Sequence, residues 1–129
     1  MFIQPLPSYL SSIGQRNGGN ILGLERTQSN AILWTTGVGV YGDDAAFAVA
    51  LTELSAMTSR LENFIEEEKA GTEFVYMNYA GASQDPLGSY GQDNLAFMKD
   101  IANQYDPEGF WQKRVPGGFK LSRATSQSP

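Results

Sequence analysis

The sequence FVYMNYAGASQDPLGSYG, residues 74–91, is the stretch on which the predicted fold depends. Its first part is rich in aromatic and β-branched residues, which predicts a strand over residues 74–79. Alternation places Val75 and Met77 on an apolar side and leaves a polar and aromatic side open. The loop that follows is rich in Gly, Ser, Asp and Pro, and a helix is predicted to begin at about Tyr90.

One predicted strand and one long predicted helix precede this stretch, and a second predicted helix follows it. The run NAILWTTGVGVY, residues 30–41, predicts another strand because β-branched and aromatic residues dominate it. Asp43 and Asp44 then cap a long helix. Apolar residues recur along that helix in steps of three and four, which predicts a buried stripe formed by Phe47, Leu51, Leu54, Leu61 and Ile65. A second amphipathic helix is predicted over residues 90–105, with inward positions at Leu95, Met98, Ile101 and Ala102.

This order of strands and helices predicts an α+β fold, in which two main helices pack on one face of a small antiparallel β-sheet. A chain of 129 residues has the usual size of one domain, so a single domain over residues 1–129 is expected. Residues 1–29 are interpreted as an irregular arm with a short helical turn around Ser8 to Ile13, and residues 30–121 as the sheet-and-helix body. Residues 122–129 are expected to form a disordered tail.

Composition excludes several classes of function. Nine basic residues stand against fourteen acidic ones, so the net charge is −5, and neither nucleic acid nor an anionic membrane is expected as a partner. The chain has no histidine, which removes the usual general base, the usual zinc ligand and every Ser-His nucleophile. Without cysteine or a signal-like N-terminus, a cytoplasmic location is expected.

Several short pieces of the sequence together resemble a known family. Their order over residues 18–120 is similar to the C-terminal portion of fungal FAD-linked oxidoreductases of the berberine-bridge-enzyme-like type. The pieces are GGNILGL (18–24), YMNYA (76–80), QDPLGSYG (84–91), the helix with Asn94, YDPEGFWQ (105–112) and PGGFK (116–120).

The resemblance implies a substrate-binding region built on an antiparallel sheet with helices on one face. In that family the Tyr-x-Asn-Tyr segment lies beside the isoalloxazine ring and the substrate, which implies that Tyr76, Asn78 and Tyr79 line the site. Residues 105–120 would form the segment that closes it. Two departures are visible: Gly81 stands where the family commonly has an acidic residue, and the family's pyrophosphate-binding loop is not found in these residues. We therefore expect a separate small protein that uses no cofactor.

The function expected on this basis is a cofactor-independent cyclase or isomerase of fungal secondary metabolism, similar to a Diels-Alderase. It would act on an apolar, polyene-type small molecule, because ring closure needs mainly a held conformation and a few hydrogen bonds. Tyr76, Asn78 and Tyr79 are the expected catalytic residues. The expected substrate-binding residues are Trp34, Phe74, Gln84, Tyr90, Phe110 and Trp111.

Two other functions stay open at this point. The first is a non-catalytic role, either binding a small molecule or completing a separate flavin-domain protein as a partner subunit. The second is a flavin-dependent or vestigial piece of an FAD-linked oxidoreductase. A homodimer is expected in addition, because an open sheet face and an apolar arm both need cover.

Overall fold

The computed structural model describes residues 1–125 and has an α+β architecture, as predicted. Strands β1 and β2 pair as a two-stranded antiparallel sheet. Two short 3-10 turns occur at Leu24–Arg26 and Met77–Tyr79. The strands and α-helices, in chain order, are β1 (Phe2–Leu6), α1 (Tyr9–Arg16), β2 (Ala31–Thr35), α2 (Asp44–Glu67), α3 (Pro86–Ser89), α4 (Gln92–Tyr105) and α5 (Phe110–Lys113).

The chain divides into two compact units. The first contains Met1–Gln4 and Ile32–Thr72, and therefore the helix α2. The second contains Pro5–Ala31 and the chain from Glu73 onward, and therefore the helices α1, α3, α4 and α5. The two long helices of the prediction thus belong to different units.

The long helix α2 begins where the sequence predicts. Asp43 has an extended backbone, and its carboxylate accepts a hydrogen bond from the backbone N–H of Ala46 at 3.0 Å. This is the N-cap arrangement that Asp favours. The predicted buried stripe is only partly correct: Phe47 and Leu51 are 58% and 52% exposed, and no residue of α2 is fully buried.

The core of the second unit is formed by the second half of the stretch 74–91 and by the start of α4. Leu87, Tyr90 and Leu95 are each 6% exposed or less, and Ala124 near the C-terminus joins them at 8%. Partly buried apolar side chains surround this core: Leu22, Phe74, Met77, Met98, Phe119 and Leu121. The helix predicted over residues 90–105 is confirmed as α4, although Ile101, predicted to point inward, is 40% exposed.

The predicted strand over residues 74–79 is wrong. Residues 74–76 belong to no strand, and the chain then forms the 3-10 turn Met77–Tyr79, in which the N–H of Tyr79 donates to the carbonyl of Tyr76 at 2.9 Å. A strand needs a neighbour that supplies a ladder of backbone hydrogen bonds. Here side chains of the following helical corner supply them instead. The strand predicted over residues 30–41 is confirmed only for its first half, as β2.

The N-terminal and C-terminal segments are more ordered than predicted. Within the predicted irregular arm, helix α1 lies where a short helical turn was predicted, whereas strand β1 was not predicted. The backbone N–H of Ser8 donates to Oδ1 of Asn30 at 3.0 Å. In the predicted tail, Ala124 is buried, and its carbonyl accepts a hydrogen bond from Nζ of Lys99 at 3.3 Å. The rest of that prediction, residues 126–129, lies outside the described residues.

Within residues 1–125, no helix combines the length and the apolar character that crossing a bilayer requires.

The turn of α3 generates the first testable prediction. A Cβ placed on Gly88 would overlap the backbone carbonyl oxygen of Thr125 and would lie 2.6 Å from Oδ2 of Asp85. We expect Gly88→Ala to lower the free energy of unfolding by about 1 to 3 kcal/mol, because the buried corner must shift to make room. Chemical denaturation followed by circular dichroism measures this change.

Gly81→Ala is the matched control, since a Cβ there meets its nearest atom, Oε1 of Gln84, at an ordinary 3.7 Å. Equal losses for the two variants would contradict the steric explanation.

Candidate functional site

The residues Tyr76, Asn78 and Tyr79 form one cluster. Nδ2 of Asn78 donates to the hydroxyl oxygen of Tyr76 at 2.9 Å. The rings of Tyr76 and Tyr79 meet edge to face, with centroids 5.2 Å apart and planes at 84°. The 3-10 turn explains this arrangement, because it places side chains three residues apart on the same side.

A stack of rings connects this cluster to the core. The ring of Phe74 is stacked on Tyr76 with centroids 6.3 Å apart, and on Tyr90 with centroids 5.8 Å apart. Tyr90 is 2% exposed, Phe74 and Tyr76 are half-buried, and Tyr79 is 41% exposed. The rings therefore lead from the interior at Tyr90 to the surface at Tyr79, and the interior end anchors the exposed one.

The cluster can bind polar groups and flat surfaces. The hydroxyl of Tyr76 accepts from Asn78 and still has its own proton to donate, while Oδ1 of Asn78 is an acceptor. Asn78 is exposed, so its amide can be reached from outside. This combination can orient a carbonyl or hydroxyl oxygen against an aromatic ring.

The other predicted site residues are placed in three different ways. Tyr90 and Phe74 belong to the ring stack described above. Oε1 of Gln84 accepts a hydrogen bond from the backbone N–H of Gly81 at 2.9 Å, so this amide shapes the loop. Phe110 and Trp111 contact each other on α5, with ring centroids 5.6 Å apart, and both are more than half exposed. Trp34 is half-buried in β2, where it belongs to the first unit.

Asp85 lies just before α3 and connects the loop to the C-terminal segment. Its Oδ1 accepts from the N–H of Gly88 at 3.0 Å, and its Oδ2 accepts from the N–H and the hydroxyl of Thr125 at 2.7 and 3.1 Å. Burial by itself raises the pKa of Asp85. The hydrogen bonds from Thr125 and Gly88, with the positive charge of Lys99, outweigh burial and hold the pKa below its ordinary value.

Tyr90 has a structural role. Burial raises the pKa of its phenol, the hydrogen bond from the N–H of Met77 at 3.4 Å opposes that rise, and Tyr76 adds to it. The phenol therefore stays protonated over the physiological pH range.

The sequence reasoning did not single out Asp85, Ser89 or Arg26. Arg26 donates to the carbonyl of Ser89 at 2.6 Å and to Oε2 of Glu73 at 2.9 Å. The ion pair with Glu73 is about 40% exposed on both sides and contributes little to stability by itself. One signal was available: Asp followed directly by Pro is the N-cap and N1 pattern of a helix start, and it occurs at Asp85 and Pro86.

The cluster lies on the surface of the described chain. A shallow, polar cavity of about 170 Å³ is present elsewhere in the second unit, and none of the predicted site residues lines it. Pockets that enclose a small organic ligand have volumes of roughly 300 to 1,000 Å³. The residues that line the cavity are Ser11, Gln15, Gly19, Asn20, Leu24 and Glu25.

Comparison with known proteins shows similarity to fungal flavoenzymes. The chain is 38% identical over 125 residues to the FAD-dependent monooxygenase drtC of Aspergillus calidoustus. It is 36% identical over 125 residues to the FAD-dependent monooxygenase sdcF of Emericella nidulans. It is also 27% identical over 124 residues to the bifunctional solanapyrone synthase of Alternaria solani. No protein-family model and no solved structure matches the chain.

These similarities cover nearly all of this chain and a small part of each relative. The shares are 93% and 23% for the A. calidoustus protein, 95% and 25% for the E. nidulans protein, and 94% and 23% for the A. solani protein. The chain thus spans about a quarter of the length of these curated relatives. The resemblance to FAD-linked oxidoreductases is confirmed at the level of FAD-dependent monooxygenases of fungi.

The lowered pKa of Asp85 generates the second prediction. A carboxylate with a depressed pKa stabilises the folded state above its unfolded pKa, about 3.9, and that stability is lost as the pH falls through the lower folded pKa. We expect wild-type stability to decline more steeply below pH 4 than that of Asp85→Asn, which keeps the N-cap but cannot ionise. Urea denaturation midpoints between pH 7 and pH 2.5 measure the difference.

Thr125→Ala serves as an intermediate variant, because it removes the hydroxyl donor and keeps the backbone donor. Parallel stability curves for wild type and Asp85→Asn would show that this carboxylate does not couple folding to pH.

Proposed function

We propose that this chain forms one wall of the substrate site of a flavin-dependent oxidising enzyme. Tyr76, Asn78 and Tyr79 bind and orient the substrate on that wall. The observation that carries the proposal is the hydrogen-bonded, partly exposed cluster of these residues, within a chain similar along almost its whole length to FAD-dependent monooxygenases.

The cluster is proposed as a wall because it does not enclose a ligand. A bound small molecule usually has most of its surface buried by the protein. Asn78 is instead exposed in the described chain, and Tyr79 is 41% exposed. The opposite wall is therefore supplied by other residues, in the same polypeptide or in a second one.

The residues present fit the substrate side of such a site but do not fit FAD as a whole. The pyrophosphate of a dinucleotide needs backbone N–H groups that converge at a glycine-rich loop or a helix N-terminus. The N-terminus of α4 is covered by Arg26, whose guanidinium would lie 3.0 Å from a Cβ placed on Gly91. In this proposal FAD is held by the opposite wall, and this chain contributes orientation and the exclusion of water.

The placement of the Tyr76–Tyr79 turn beside the flavin ring, implied by the berberine-bridge-enzyme-like resemblance, is the finer form of this proposal. The turn offers a hydroxyl donor, an amide acceptor and an aromatic edge on one side. These groups suit the recognition of a flat substrate that carries a carbonyl or phenol oxygen, because one hydrogen bond fixes the oxygen and the ring contact fixes the plane.

A cofactor-independent cyclase is the second candidate, because the cluster combines hydrogen-bonding groups with aromatic rings and the chain has no histidine. The same hydrogen-bonding groups would hold a linear polyene in a folded conformation, and no titrating base is required. This function also needs a closed pocket, which a homodimer of this chain would have to supply.

The third prediction tests the wall in a chimera. We would replace the matching 23% of the A. calidoustus monooxygenase with this chain and assay turnover of that enzyme's own substrate. The chimera is expected to retain flavin absorbance through gel filtration. Tyr76→Phe and Asn78→Ala are each expected to lower turnover by roughly tenfold or more at unchanged flavin content, since each removes a hydrogen-bonding group from the substrate site.

Tyr41→Phe and Asn103→Ala are matched controls, because Tyr41 is 99% exposed and Asn103 is exposed on α4. A flavin-loaded, active chimera that is indifferent to the Tyr76 and Asn78 substitutions would overturn the assignment of the wall. The isolated chain should be assayed in parallel, without flavin, on a linear polyene with a diene and an activated alkene. If the isolated chain sediments as a homodimer in the ultracentrifuge and forms the ring product, the cyclase function is established instead.

A further inference from the structure

The wall segment 74–79 obtains its backbone hydrogen bonds in an unusual way. Its backbone is extended at Tyr76, yet none of its residues belongs to a strand or pairs with β1 or β2. The N–H of Val75 donates to the hydroxyl oxygen of Ser89 at 3.0 Å, and the N–H of Met77 donates to the hydroxyl oxygen of Tyr90 at 3.4 Å. The side chains of Ser89 and Tyr90 thus accept the backbone hydrogen bonds that a neighbouring strand would accept in a sheet.

The hydroxyl of Ser89 is oriented for this purpose. Its single proton is donated to the carbonyl of Pro86 at 2.7 Å, since the carbonyl of Val75 is farther away at 3.5 Å. A hydroxyl whose proton is committed in one direction presents its lone pairs in the others. Ser89 therefore acts as an acceptor toward Val75.

The position of Ser89 is fixed from several sides. It is 1% exposed and is the last residue of α3, whose start is capped by Asp85 and has Pro86 in its first turn. Its own carbonyl accepts from Nη2 of Arg26 at 2.6 Å. Because the residue cannot move without breaking these contacts, it is a rigid support for the segment it binds.

We infer that Ser89 is the positioning residue of the wall. Its hydroxyl holds the backbone of Val75, which is the residue before Tyr76, and thereby sets where the Tyr76 hydroxyl and its Asn78 partner point. Ser89 is buried beneath the wall and does not touch the substrate. This inference rests on the proposed function for what the wall binds, but the positioning itself is measurable without any substrate.

Tyr90 assists from the same side and supports a different part of the segment. Its ring stacks on Phe74, and its hydroxyl accepts the longer hydrogen bond from Met77. Loss of this hydroxyl should loosen the turn at Met77 and leave the bond between Val75 and Ser89 in place.

The fourth prediction concerns Ser89→Ala in the full 129-residue chain. Amide exchange by nuclear magnetic resonance is expected to be at least tenfold faster at Val75, because its acceptor is gone, and unchanged at Leu95 within α4. The near-ultraviolet circular dichroism of the tyrosines is expected to weaken while the far-ultraviolet spectrum is retained. Unchanged exchange at Val75 would overturn the inference.

Two further variants keep the test informative. Ser122→Ala is the matched control, since Ser122 is exposed and only its backbone N–H is engaged, by Gln112. If Ser89→Ala fails to fold, Tyr90→Phe tests the same arrangement. Faster amide exchange confined to Met77 would show that side chains hold the backbone of this segment. Uniformly faster exchange along the chain contradicts it.

The chimera separates this inference from the proposed function. Ser89→Ala is expected to lower turnover by roughly tenfold alone and less than twofold on an Asn78→Ala background, because both substitutions disable the same wall. Additive losses would show that Ser89 does not act through Asn78. A flavin-loaded chimera without turnover would count against the proposed function, and the exchange rate at Val75 would still decide the role of Ser89.

Discussion

The second unit depends on the burial of one short corner, the segment from Pro86 to Tyr90, all of which is buried. Each side of this corner holds a different part of the chain. Asp85 at its start binds Thr125, Ser89 binds Val75, and the ring of Tyr90 supports Phe74. These bonds are made by side chains to distant segments, so the corner fixes parts of the chain that no sheet holds together. A small core can support an ordered surface in this way, because each buried polar group satisfies a partner that would otherwise be costly to bury.

The same corner explains why the polar cluster at the surface has a defined geometry. Hydrogen bonds from exposed side chains are normally weak restraints, since water competes for both partners. Tyr76 differs because its ring is fixed through Phe74 to the buried ring of Tyr90. The direction of its hydroxyl is then limited by the bond from Asn78. Binding energy is not lost in ordering such a group, so a preorganised wall orients a ligand better than a flexible one does.

The sequence was sufficient for features that depend on local chemistry. The cap at Asp43, the two long helices and the α+β class follow from side-chain preferences and periodicity, and all are present. The prediction of a strand over residues 74–79 was wrong because composition reports only how well side chains suit a sheet. Strand formation also requires a partner strand at hydrogen-bonding distance. The partner here is the hydroxyl of Ser89, fourteen residues later. The clustering of Tyr76, Asn78 and Tyr79 was predicted through a resemblance, but the 3-10 turn that produces it was not.

The chemistry of the wall is consistent with the absence of histidine from the chain. Its groups act by hydrogen bonding and by ring contact, and the one buried phenol beneath them has a raised pKa that keeps it protonated. The phenol of Tyr90 therefore stays uncharged around neutrality. At acidic pH the sensitive group is Asp85, which lies below the site. Its carboxylate must be ionised to accept hydrogen bonds from both Gly88 and Thr125. In the proposed function this wall places the substrate, and the electrons and protons of the oxidation are handled on the opposite side. The similarity of this chain to about a quarter of the FAD-dependent monooxygenases supports that proposal.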